Sequence, residues 1–190
     1  MTELQFRWAT VLPWEGKVPK IAPTVWLAEG VRIIGDVHIG EYSSVWFNTV
    51  VRGDVHSIWI GAETNIQDLC LLHVTHGRYP LRIGNRVTIG HRAIVHGAEV
   101  EDCCLIGMGA CILDGARIGT YSIVAAGSVV RERQEVPPGV LVAGVPARVV
   151  RELTEEERYR IEESAKHYVE YAQRYRACFA GVAASHVQQP

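Results

Sequence analysis

The sequence predicts an all-β fold, a parallel β-helix of about six triangular coils with an α-helix at its C-terminal end, and three observations predict it. Apolar residues recur every six positions, small residues fill the slot four positions later, and from Leu153 the period changes to that of a helix. The apolar series runs Ile21, Leu27, Ile33, Ile39, Val45, Val51; then Ile60, Ile66, Leu72; then Ile83, Ile89, Val95; then Val100, Ile106, Ile112, Ile118, Val124, Val130. A period of six does not suit the 3.6-residue turn of an α-helix, whereas short strands stacked on copies of themselves in successive coils require it. Three strands make one coil, each apolar residue points into the prism, and its counterparts lie about 4.8 Å above and below. A β-sandwich is the competing arrangement, and sandwiches do not hold a fixed register over so many short strands.

The second slot of the repeat is small or β-branched: Val25, Val31, Val37, Ser43, Thr49, Thr64, Cys70, Ala93, Ala110, Ala116, Ser122, Ser128. Large side chains are thus limited to one position per repeat. Glycine follows many of the apolar residues, as at Gly40, Gly61, Gly84, Gly90, Gly107 and Gly119, and is expected at corners where the backbone turns sharply. Residues 1–150 form the expected hexapeptide-repeat domain. Val136-Pro137-Pro138-Gly139 and Ala143-Gly144-Val145-Pro146-Ala147-Arg148 carry turn chemistry and read as a linker. Thr154 and Glu157 then make a capping box, and Ile161, Ala165, Tyr168, Ala172, Tyr175 and Phe179 form one helical stripe. A helix of roughly 24 residues within 151–180 is expected to pack on the prism, with 181–190 a disordered tail.

At 190 residues and 48% hydrophobic content the chain can bury one substantial core. Nineteen basic and twenty-one acidic residues are well mixed, so no nucleic-acid surface is expected. Five cysteines without a CxxC pair, and a start without a basic segment before an apolar core, suggest a reduced, cytoplasmic protein. No apolar run approaches the length of a membrane span.

Counting through the repeat places the histidines. Let the first wall begin at Leu72, and let 55–60 and 74–83 bulge from corners without changing the winding. Ile83 then starts the second wall, Ile89 the third and Val95 the first again, so His73 and His96 share a column one coil apart, with Arg52 below them. His91 sits on a different wall and would come from a neighbouring chain, as three prisms about a threefold axis would allow. Asp68 has the same offset as His91 one coil lower, and would face Arg52 across that contact. Three imidazoles leave an open position on a metal, as in catalytic zinc sites, where bound water becomes hydroxide near pH 7. His38, His56, His167 and His186 read as ordinary surface histidines.

Arg52-Gly53-Asp54, Asn65-Ile66-Gln67-Asp68, His73 and Gly90-His91-Arg92-Ala93-Ile94-Val95-His96-Gly97 together resemble the γ-class carbonic anhydrases, and the resemblance extends over nearly the whole chain. It implies a left-handed β-helix and a homotrimer with a metal at each interface, held by His73 and His96 of one subunit and His91 of the next. It further implies that Arg52 pairs with Asp54, and with Asp68 across the interface, that Gln67 beside Asn65 hydrogen-bonds metal-bound water, and that carbon dioxide and bicarbonate are the reactants. Zinc is the expected metal, with ferrous iron or cobalt as alternatives.

The founding members of that family carry an acidic residue after the aspartate of the Arg-x-Asp motif and a long acidic loop after the first histidine. Here those places hold Val55 and the short run 74–81, which leaves His76 and His56 as substitutes for proton transfer. Two other function classes stay open on the sequence: a coenzyme A thioesterase or acyltransferase, suggested by 143–148, and a non-catalytic trimer in which the metal is a staple.

Overall fold

The structure, a computed structural model, describes the backbone of residues 8–185 and the side chains of residues 8–179. The chain winds as a left-handed parallel β-helix whose strands pair in register with the coils above and below. On the first wall Ile33, Val51, Leu72, Val95, Ile112 and Val130 stack in one column. On the second, Ile21, Ile39, Ile60, Ile83, Val100, Ile118 and Val136 do the same, and on the third, Leu27, Val45, Ile66, Ile89, Ile106, Val124 and Val142. All of them are buried, so the six-residue period is the period of the core. Val136 and Val142 extend two columns beyond the series visible in the sequence.

The small slot is also buried, at the corners of the prism. Where it is polar, the hydroxyl is satisfied by backbone of the coil above: Ser43 donates to the Gly61 carbonyl at 2.6 Å, Thr49 to that of Gln67 at 2.7 Å, and Thr64 to that of Gly84 at 2.7 Å. A buried hydroxyl left without such a partner would be destabilising.

The glycines after the apolar residues do not turn the chain. Gly40, Gly61, Gly84, Gly90, Gly107 and Gly119 are absent from the left-handed region, and what they provide is close approach between coils. A Cβ on Gly61 would lie 2.6 Å from the carbonyl carbon of Gly84. The left-handed residue falls immediately before the small slot, and its identity varies: Tyr42, Asn48, Glu63, Leu69, Arg92 and Tyr121 all have φ between 53° and 62°. The short buried side chain that follows leaves room for the turn, so sequence signals for the corner are weak.

The segment read as a linker is ordered sheet. Val140–Gly144 adds a parallel strand to the third wall and Ala147–Glu152 folds back on it antiparallel, closing the stack. Helix α1 spans Glu155–Ser185, so it begins near its expected start and its backbone continues through the first residues assigned to a tail; 186–190, with His186, lie outside the described residues. The capping box forms: Glu157 N–H donates to Thr154 Oγ1 at 3.2 Å and Thr154 N–H to Glu157 Oε2 at 2.9 Å. Ile161, Ala165 and Ala172 bury one face of α1, and Tyr175 packs its ring against Trp26 and Trp46 of the third wall. The third wall is therefore covered by α1 from Trp26 to Thr88 rather than bare. Among the described residues no helix is long and apolar enough to cross a membrane.

Candidate metal centre

The first wall carries the histidine column because its strands pair without a slip. Leu71–His73 and Ile94–His96 align residue for residue, so His96 lies directly over His73. Their rings meet at 3.0 Å, Nδ1 of His73 to Nε2 of His96. One coil below, the chain leaves the wall: Gly35 pairs with Gly53 and Val37 with Ile58, so residues between them loop out as a bulge. Bulges re-aim side chains. Here the bulge turns Asp54 back onto the column, where Oδ1 lies 3.0 Å from His73 Nε2 and Oδ2 accepts from Arg52. Burial alone would push the Asp54 carboxyl up, but hydrogen bonds from His73 and Arg52 and the guanidinium charge outweigh it and hold it below the usual carboxylate range. Burial lowers His73, and the Asp54 contact opposes that effect.

His96 has a partner that the sequence count missed. Asp114 Oδ1 lies 2.6 Å from His96 Nδ1, and its Oδ2 accepts from Thr75 Oγ1 at 2.5 Å. Carrying the register one coil further would have found it, since Ile112 stacks on Val95 and Asp114 follows two residues later.

His91 stands on the edge of the third wall with its Nδ1 2.7 Å from Asp68 Oδ2. Both side chains are partly exposed, at 42% and 31%. Within one chain, then, Asp68 holds His91. The edge is crowded on its other side by Tyr168 of α1, whose phenol is raised by burial and then by the negative charge of Asp68. Gln67, buried beside this edge, accepts the His91 N–H at 3.2 Å through Oε1 and donates through Nε2 to Asn65 Oδ1 at 3.2 Å.

The donor chemistry fits a metal. Each of His73, His96 and His91 has one ring nitrogen on a carboxylate, which fixes that nitrogen as the N–H and the other as a lone pair, the usual outer support of histidine ligands. The two remaining nitrogens of His73 and His96 then face each other at 3.0 Å, a contact that a shared proton or a metal ion would satisfy. Tetrahedral zinc with bonds near 2.0–2.1 Å would set its nitrogens about 3.3 Å apart. His91 does not join the pair within one chain: among the described residues no group of three or more His, Cys, Asp or Glu side chains is placed to hold an ion.

Beside Asp54 opens a cavity of about 360 Å³ lined by Trp14, Lys17, Asp36, His56 and His76 among others. His56 has its Nδ1 occupied by the Ser57 N–H at 2.8 Å. His76 is exposed, and its ring makes no hydrogen bond among the described residues. His38, read as a plain surface residue, stacks on Trp59 and contacts Asp36 at 3.1 Å.

The bacterial transferase hexapeptide family (six repeats) matches residues 97–132. A carbonic anhydrase of Geobacillus kaustophilus is 47% identical over 88% of this chain and 91% of its own length. The chain spans 58% and 60% of the mitochondrial γ carbonic anhydrases 2 and 1 of Arabidopsis thaliana, each 44% identical to it. A Bacillus cereus crystal structure, assigned to a candidate acetyltransferase, superposes with a TM-score of 0.88 at 46% identity, covering 90% of this chain and 99% of that one. With relatives this similar along more than four-fifths of its length, the chain belongs to the γ carbonic anhydrase family of hexapeptide-repeat proteins.

Proposed function

We propose that the chain is a metal-dependent carbonic anhydrase, converting carbon dioxide and water to bicarbonate and a proton at the interfaces of a homotrimer. The observation that carries this reading is the pair of facing lone pairs on His73 and His96, each backed by a carboxylate. His91, backed by Asp68, is the third donor and comes from the next subunit. The carbonic anhydrase names of the relatives support the reaction. Support for the trimer comes from the surface around the histidines: Leu71 and Ile94 on the first wall, and Leu69 and Met108 near the His91 edge, are large apolar residues at least 39% exposed. Because α1 covers the third wall, a neighbour's first wall meets the His91 edge and the flank of the helix.

A divalent ion held there, zinc or alternatively ferrous iron or cobalt, supplies a Lewis acid that makes hydroxide available near pH 7. The chain's own residues do the rest. Arg52 orients Asp54, Asp54 fixes His73 through Nε2, and Asp114 fixes His96 through Nδ1, so both free nitrogens converge. Across the trimer, Arg52 also reaches Asp68 of the neighbouring subunit, which couples assembly to the site. Gln67 spends its oxygen on the His91 N–H and one amide hydrogen on Asn65, leaving a single N–H to hold the attacking oxygen with its lone pair toward carbon dioxide. The released proton leaves through the cavity beside Asp54. His76 carries it, because both of its ring nitrogens are open, whereas His56 has Nδ1 tied to the backbone.

Carbon dioxide hydration by stopped flow, on protein purified anaerobically and loaded with zinc, cobalt or ferrous iron, tests the reading. Turnover should follow metal content and disappear in His73→Ala. The rival is acyl transfer, favoured by the assignment of the Bacillus cereus structure. Acetyl-coenzyme A consumption that survives His73→Ala, with no hydration in the metallated trimer, would replace the proposal.

A further inference from the structure

Gln67 does not stand alone. Its carboxamide is the first member of a hydrogen-bond chain that runs out of the site to α1, and the chemistry of its groups fixes the direction as far as Thr88. A backbone N–H can only donate, so the His91 amide, 3.2 Å away, must meet Gln67 Oε1. That places Nε2 on the other side, where it donates to Asn65 Oδ1 at 3.2 Å. With its oxygen so used, Asn65 turns Nδ2 outward and donates to Thr88 Oγ1 at 2.9 Å. The Thr88 hydroxyl in turn meets Ser164 Oγ of α1 at 3.2 Å, a link in which either oxygen can donate. Asn65, Thr88 and Gln67 are 1%, 4% and 6% exposed, so water offers little competition along the chain. A flipped Gln67 would set an N–H against the His91 N–H, which no rearrangement of the other members relieves; what Asn65 and the groups beyond it fix is where Nε2 finds its acceptor.

We infer that Thr88 and Ser164 are positioning residues, which hold the Gln67 amide in one orientation by tying it through Asn65 to helix α1. The kinetic consequence rests on the carbonic anhydrase reading; the chain itself does not. Ser164 lies between Ile161 and Ala165, both 1% exposed, so the packing of α1 on the third wall sets where its hydroxyl stands. Docking of α1 is in this way coupled to the one free N–H that Gln67 offers.

Thr88→Val keeps shape and removes the hydroxyl; Ser164→Ala removes the last member; Thr88→Ser restores the hydroxyl. Metal content and trimer mass should match wild type in all three. kcat should fall about 10- to 100-fold in Thr88→Val and about threefold in Ser164→Ala, with KM little changed, while Thr88→Ser stays near wild type. In a Gln67→Ala background, Ser164→Ala should cost nothing further, because the two act as one unit. Crystal structures supply a readout independent of turnover: Gln67 should populate a second rotamer in Thr88→Val and one rotamer in Thr88→Ser. If wild type shows no hydration, the carbonic anhydrase reading fails and the rotamer alone judges the chain of bonds. A single, wild-type Gln67 rotamer in Thr88→Val, or full additivity with Gln67→Ala, would overturn the inference.

Discussion

The first and second walls are made from one repeat and stack the same kind of residue inward: Ile33, Val51, Leu72, Val95 and Ile112 on one, Ile39, Ile60, Ile83, Val100 and Ile118 on the other, none more than 4% exposed. Outward they diverge. The second wall sets Arg82, Glu99, Arg117 and Glu135 in register, opposite charges alternating up the column, with Arg117 Nε 3.4 Å from Glu99 Oε2. Exposed pairs of this kind contribute under about 1 kcal/mol each, so they keep the wall wet rather than hold it together. The first wall instead sets Leu71 and Ile94 beside His73 and His96, half-exposed apolar groups flanking a convergence of imidazoles. Inward columns specify the prism, and outward columns specify what each wall meets: solvent on the second wall and, in the proposed assembly, another subunit and a metal on the first.

The change that should break this contrast most strongly is a charge on the first wall. Ile94→Lys should convert the trimer to monomer in sedimentation and take metal and turnover with it, whereas Glu99→Lys on the second wall should leave all three alone. Next in size is a change that strikes the prism and spares the site. Gly61→Ala forces a Cβ against the Gly84 backbone and should cost about 1–3 kcal/mol in denaturant unfolding, with metal stoichiometry intact. Asp114→Asn sharpens the contrast from the other side: it should weaken metal affinity about 10- to 100-fold in a chelator competition without moving the melting temperature of the metal-free protein much.

The smallest effect belongs to the start of α1. Arg151 first, and then the Thr154 N–H, lower the Glu157 carboxyl from 4.5 to about 2. A depressed carboxyl contributes its stabilisation fully above pH 4.5 and loses it as the pH falls through about 2. Thermal melts should therefore show Glu157→Gln less stable than wild type at pH 7, with the gap closing by pH 2; an equal gap at both would contradict the assignment.

The inward columns and the stacking of His73 under His96 were legible because a β-helix turns a fixed period into a fixed position, and because the loops after Gly53 and Val74 leave the winding unchanged. Other features were not legible. The glycines after the apolar residues suggested turns, yet they serve coil-to-coil approach, while residues as different as Tyr42, Leu69 and Arg92 make the turns. Asp114 has no local signature as a partner of His96, and it emerges only when the register is carried one coil beyond Val95. The same holds for Thr88 and Ser164, which lie 76 residues apart and meet only once α1 docks. The hairpin at 140–152 was hidden by its turn-rich sequence, which serves an antiparallel reversal as well as it serves a linker.

Sharing of the site between chains is the central claim, and subunit mixing tests it most directly. His91→Ala and His73→Ala each remove a ligand, but on opposite sides of the proposed interface. Trimers containing both variants, isolated with two affinity tags, should each regain about one metal ion and about a third of wild-type turnover, because a closed ring has one interface at which both intact halves meet. Mixed trimers that stay as metal-free as either parent would contradict a centre built from His73 and His96 of one subunit and His91 of the next.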